Sequence, residues 1–243
     1  MTEALFTEDA TLLQCQARVL ALDEHGLVLD RTVCYPQGGG QAGDAGTLQA
    51  ATGATLAVAD TRKHPARPGD IVHVIAPGGD LAAFAPGTEV TVRVDAARRH
   101  AHMRFHTATH LLCALVPHPV DGCSITAGYA RLDFHMNEPL DKEAPSAGLA
   151  RLVAEGHAVR ARWISEAELD ANPQLVRSMR VQPPRSGKPA GRVRLLEVVG
   201  VDLQPCGGTH VANTAEVGAV VVTRIEKKSA MTRRVVLGFA APS

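Results

Sequence analysis

The chain has 243 residues, of which 45% are hydrophobic and only 3% aromatic, and 25 Lys/Arg balance 25 Asp/Glu. This composition excludes a disordered chain and is enough for one large domain or two modest ones, with cores resting on Val, Leu and Ala. Zero net charge leaves no global field to steer the protein to nucleic acid.

No apolar run approaches the roughly 18–20 residues needed to cross a bilayer. The N-terminus, MTEALFTEDATL, is acidic and lacks the basic start and apolar stretch of a signal peptide. A soluble cytoplasmic protein is expected. The five cysteines, at positions 15, 34, 113, 123 and 206, are odd in number and scattered. They do not read as a disulfide framework.

The first ninety-odd residues read as strands. CQARVLAL, GLVLDRT, TLAVADT, DIVHVIA and EVTVRVD are short, Val/Leu-rich and separated by Gly, Pro and Asp turns. Such spacing predicts a small all-β barrel or sandwich. The pattern changes near Asp95. AARRHAHMRFHTATHLLCALV has helical periodicity, with Phe105, Ala108, Leu112 and Leu115 on one face. DKEAPSAGLARLVAEGHAV predicts a second helix, and SEAELDANPQLV, with Ser165 and Glu168 spaced as a capping box, a third. RVRLLEVV, AVVVTRIEK and TRRVVLGF return to strands, the last two as a hairpin. The expected fold class is α+β: a small β-barrel over 1–95, then a domain of helices and antiparallel sheet over 96–243. Two basic clusters, RRHAHMR (98–104) and KKSAMTRR (227–234), read by themselves as solvated surface.

Two short motifs carry chemistry. In the first, His102, His106 and His110 follow at i, i+4 and i+8, so they share a helical stripe. Only two can reach one metal ion, because eight residues at about 1.5 Å rise separate the outer pair by roughly 12 Å. Adjacent imidazoles one turn apart converge on a single ion, as in H-x-x-x-H zinc motifs. Cys113 is a weaker candidate. In the second, CGGTH, Cys206 and His210 flank two glycines that let the backbone turn tightly. Thiolate and imidazole suit zinc better than magnesium or calcium. The same donors would also suit a closed structural site.

RFHTATHLL and CGGTH, about a hundred residues apart, together resemble the editing domain of alanyl-tRNA synthetase. ARLDF (130–134) and TRRVVLGF resemble the strands that accompany those motifs. The upstream stretch CYPQGGGQAGDAG (34–46) narrows the resemblance to the free-standing AlaX-type editing proteins of medium length. The resemblance implies hydrolysis of mischarged tRNA(Ala), chiefly seryl- and in some members glycyl-tRNA(Ala). It places zinc on His106, His110, Cys206 and His210, and leaves His102 without a role. One departure stands out. Where the family often shows Gln-x-Gly-Ser, this chain reads VDGC, with Val120, Gly122 and Cys123.

For ester cleavage, zinc lowers the pKa of a bound water or polarises the carbonyl, and a catalytic site keeps one position open. His210 is the ligand expected to be loose. A site that hydrogen-bonds the serine hydroxyl would spare alanine, whose entry leaves polar groups unpaired. Thr107, Thr109 and Thr126 are candidates for that bond, with Gly122 and Cys123 also lining the pocket. The glycine-rich loop, including Gln37, Gly38, Gly39 and Gly40, is expected to approach the pocket, where its backbone N–H groups could cradle an anion. Arg98, Arg99 and Arg104 are candidates for phosphates of the tRNA(Ala) acceptor end. The competing reading is a non-catalytic, zinc-stabilised RNA-binding module.

Overall fold

In the computed structural model, residues 1–179, 183 and 191–240 are described. The strands are β1 (Glu3–Ala4), β2 (Gln14–Asp23), β3 (Gly26–Leu29), β4 (Arg31–Thr32), β5 (Gly46–Ala50), β6 (Thr55–Lys63), β7 (Ile71–Ile75), β8 (Glu89–Val94), β9 (Val120–Ile125), β10 (Ala130–His135), β11 (Val159–Ser165), β12 (Arg192–Val198), β13 (Asp202–Pro205), β14 (Val220–Ser229) and β15 (Thr232–Phe239). The α-helices are α1 (Ala96–Leu115), α2 (Glu143–Glu155) and α3 (Glu166–Ala171). The chain forms two compact units: residues 1–38 with 42–100, and residues 39–41 with 101–243.

In the first unit, β2, β3, β7, β6, β5 and β8 close into a barrel in that order, and β1 pairs with β4 in parallel. Alternation along the strands turns Val19, Leu27, Leu29, Leu48, Leu56, Val90 and Val92 inward, where Phe84 joins them. Each such side chain contributes about 1.5–3 kcal/mol on burial. The buried His73 of this unit is paired through both ring nitrogens. His73 has no exposure; its Nδ1 lies 3.2 Å from the Leu27 carbonyl and its Nε2 2.8 Å from Thr32 Oγ1. The carbonyl can only accept, so the ring is the neutral Nδ1–H tautomer, with the threonine hydroxyl donating to Nε2. Burial holds its pKa down at about 4.

The second unit has a four-stranded antiparallel sheet, β14-β15-β10-β9, and a three-stranded one, β11-β12-β13. The α+β class is therefore as expected. The closing hairpin forms as the sequence predicts, with β15 covering TRRVVLGF in full. Ser165 and Glu168 make the capping box that starts α3. Helix α1 starts where the Asp95 carboxylate accepts the Arg98 N–H at 3.0 Å, satisfying one of the helix's orphan donors. From His102 to Cys113 every residue except Arg104 is buried. The helix is thus enclosed on its polar face as well as on its apolar one. All five cysteines are unpaired thiols. No described helix is long and apolar enough to cross a membrane.

Candidate metal centre

Helix α1 brings His106 and His110 one turn apart, both buried. Cys206 and His210 lie on the loop that follows β13. That loop is fastened to β12, because the Cys206 N–H donates to the Arg194 carbonyl at 3.0 Å. The buried Arg194 guanidinium donates in turn to the carbonyls of Cys206 and Gly208, at 2.9 and 3.0 Å. One ligand atom from each of His106, His110, Cys206 and His210 lies within 4.8 Å of the others. Cys206 Sγ stands 3.5 Å from His106 Nε2 and 3.2 Å from His210 Nε2. A tetrahedral zinc ion with bonds of about 2.3 Å to sulfur and 2.0–2.1 Å to nitrogen sets such donors about 3.6 Å apart. The donor set and its spacing fit a metal ion.

The far nitrogen of each imidazole is held. His106 Nδ1 is 2.7 Å from Gln41 Oε1, an oxygen that only accepts, so Nδ1 carries the proton and Nε2 keeps its lone pair for the cluster. His110 Nδ1 is 3.0 Å from Asp202 Oδ2, which also accepts from Gln204 Nε2 at 2.8 Å. His210 Nδ1 is 3.2 Å from Thr107 Oγ1. Gln41 is itself locked: its amide donates to Thr209 Oγ1 at 2.9 Å and its carbonyl accepts the Thr209 N–H at 3.2 Å.

Electrostatics favour a thiolate. Burial alone would raise the Cys206 thiol, but the imidazoles of His106, His210 and His110 packed around it outweigh burial and pull it well below its usual value. Burial, with His106 adding to it, depresses His210. His110 is opposed by burial yet rises to about 9, through Asp202 and Cys206.

The other expected site residues have varied placements. Gly39 and Gly40 adopt φ of +57° and +87°, the left-handed region that favours glycine. Gly40 lies against β9: its carbonyl accepts the Ile125 N–H at 2.8 Å, and a Cβ on it would stand 2.9 Å from Cys123 Sγ. Cys123 thus meets the glycine-rich loop, and burial pushes its thiol up to about 12. Gly122 pairs with Asp133 in the β9–β10 ladder. The Thr109 hydroxyl donates to the His106 carbonyl at 2.7 Å. Thr126 organises the β9–β10 turn, donating to the Tyr129 carbonyl and accepting the N–H groups of Gly128 and Tyr129. Gln37 and Gly38 group with the first unit; the Gln37 N–H donates to Thr61 and the Gly38 carbonyl accepts from the Tyr35 hydroxyl. His102 is buried and stands outside the four-donor group.

The arginines at the start of α1 have internal partners. Arg99 is 1% exposed and pairs with Asp44 while donating to the carbonyls of Ala10 and Val33. Arg98 donates to the Gly43 carbonyl, and Arg104 to that of Val217 while its guanidinium lies 3.9 Å above the Phe239 ring. Sequence reasoning missed Gln41, Asp202, Thr209 and Arg194. Only Gln41 had a nearby signal, as the next residue after the three glycines.

Known proteins are similar to this chain over nearly all of its length. Residues 193–236 match the family model described as "Threonyl and Alanyl tRNA synthetase second additional domain", and residues 3–98 the one described as "tRNA synthetases class II (A)". The chain is 34% identical over 245 residues to the alanyl-tRNA editing protein AlaX-M of Methanosarcina mazei, covering 96% of this chain and 95% of the relative. It is 30% identical to the AlaX-M protein of Saccharolobus solfataricus, covering 97% and 98%. An alanine–tRNA ligase of Sulfurisphaera tokodaii matches 93% of this chain at 32% identity, over 25% of the ligase. With near full-length coverage and the four-donor cluster in place, the chain belongs to the AlaX-M family of alanyl-tRNA editing proteins.

Proposed function

We propose that this protein is a trans-acting, zinc-dependent aminoacyl-tRNA deacylase that hydrolyses seryl-tRNA(Ala), with glycyl-tRNA(Ala) as a second substrate. The observation that carries the reading is the convergence of His106, His110, Cys206 and His210, with the far nitrogen of each imidazole held by Gln41, Asp202 or Thr107. Zinc bound there would supply a Lewis acid for the ester carbonyl or for the attacking water. The protein's part is to aim three imidazoles, to keep Cys206 ionised and to surround the reacting ester with fixed dipoles in place of water. An alanine-sized synthetase pocket rejects glycine and serine weakly by packing, which is why a second sieve is needed.

The test is deacylation of seryl-, glycyl- and alanyl-tRNA(Ala) by the purified protein, with zinc measured on the same sample. Loss of serine and glycine with alanine spared supports the reading. Cleavage of a different aminoacyl-tRNA assigns a new specificity to the VDGC departure. The competing reading, a closed zinc site in an RNA-binding module, is favoured by the burial of all four donors. Under it, zinc is present, no ester is cleaved, and His106→Ala unfolds the protein instead of leaving it folded and inactive.

A further inference from the structure

The basic stretch KKSAMTRR lies on the β14–β15 hairpin, on a sheet whose outer face holds a groove of about 650 Å³ lined by Tyr129, Arg131, Thr223, Arg224, Arg234 and Val236. Strand alternation turns Arg131 and Asp133 of β10 outward with Arg234 of β15, while Leu132 and Val235 point to the core. Arg234 grips Asp133 through two bonds of 2.7 and 2.8 Å, Arg131 stands 3.6 Å from the same carboxylate, and Lys228 acts on it electrostatically. Arg224, with a side chain 66% exposed, pairs with Glu226. Among the described residues four cations therefore share two carboxylates, and a guanidinium has five donors, more than these partners consume. Beside them is the ring of Tyr129, exposed in a chain with only two tyrosines.

Cations in surplus around an exposed aromatic ring match a nucleic-acid strand, whose phosphates take the charge and whose bases stack on the ring. Of the arginines of α1, Arg99 is buried and committed to internal partners, so it leaves this task to other groups. We propose that this groove is a docking surface for the phosphodiester backbone of the tRNA, with Arg131, Arg224 and Lys228 on phosphates and Tyr129 against an unpaired base. The proposal rests on the tRNA deacylase reading for the identity of the RNA.

The experiment measures binding of uncharged tRNA(Ala) against salt concentration for the full chain and for Arg224→Ala, Arg224→Ala/Lys228→Ala and Tyr129→Ala. Turnover of a small seryl ester of adenosine is measured in parallel. The expected result is weaker tRNA binding, with the salt slope reduced by about 1 in the single arginine variant and about 2 in the double, and small-ester turnover unchanged. Tyr129→Ala weakens binding without changing the slope. Unchanged affinity and slope in folded variants overturn the proposal, as does an equal loss of small-ester turnover, which would mark damage to the metal centre. A change of oligomeric mass in Arg224→Ala also overturns it, in favour of a contact between copies. If the parent protein cleaves neither seryl-tRNA(Ala) nor the small ester, the deacylase reading fails, and the binding series still decides the groove.

Discussion

The Cβ that Gly208 lacks would stand 2.1 Å from His106 Cε1 and 2.4 Å from its Nδ1. The loop between Cys206 and His210 passes flat against the ring whose other nitrogen faces Cys206, so the two halves of the centre come together only because a side chain is missing. Gly208→Ala is expected to displace His106 and weaken zinc binding by about 10–100-fold while the protein stays folded. Chelator competition, with circular dichroism as control, reads both quantities. Wild-type zinc affinity in the folded variant would contradict this geometry.

Asp202 acts on the centre through His110. Its side chain is fully buried, with Arg177 3.5 Å from Oδ1 and the His110 ring on Oδ2. Asp202→Asn preserves the shape but removes the charge that raises the basicity of the imidazole. Zinc affinity should fall about 10–100-fold, and a titration against a competing chelator measures it. Indistinguishable affinities for Asn and Asp would reduce Asp202 to a packing role.

Arg99 and Asp44 form a buried ion pair, and Asp44 also accepts the Tyr35 N–H at 2.6 Å. Removing one partner strands the other charge, so Asp44→Ala should cost about 3–5 kcal/mol, whereas the double change Asp44→Leu/Arg99→Met should cost less than the single. Urea unfolding of the three proteins settles the order. A single variant more stable than the double would show that Arg99 finds other partners.

The neutral His73 sets a pH dependence. Its folded pKa of about 4 lies below the ordinary 6.5, so the unfolded chain binds the proton more readily. The contribution is complete above pH 6.5 and is lost as pH falls toward 4. At about 1.36 kcal/mol per pKa unit this amounts to roughly 3 kcal/mol. Urea midpoints at pH 7.5 and pH 4.5 should differ less in His73→Gln than in the parent, at some cost in stability near neutrality. Equal pH dependence in both proteins would assign the acid sensitivity elsewhere.

Much of this was legible because periodicity and spacing are local. The strands around Val19, Val72 and Val92, the His106/His110 turn and the Cys206/His210 loop all announce themselves within ten residues. Strand β5, GTLQA, did not, because one leucine among small and polar residues gives no alternation, and its place between β6 and β8 decides its conformation. Strand β13 ends at Pro205 and owes its pairing to β12. The braces of the centre were illegible for a related reason: Gln41 lies 65 residues before His106, and Asp202 lies 92 after His110. Contacts that distant leave no spacing to read. His102 shows the converse, a histidine with the right spacing that falls outside the cluster because the helix carries it one turn away.

Gln41 and Thr209 are 168 residues apart, and each completes the hydrogen bonding of the other. On the ribosome, Gln41 is made before the helix it braces, and the loop bearing Thr209 is made about a hundred residues after that helix. At about 5–20 residues per second the interval is on the order of ten seconds. During it His106 and His110 exist as an incomplete pair, with neither thiolate nor third imidazole, so the four-donor set is complete only once the Cys206–His210 loop has been made.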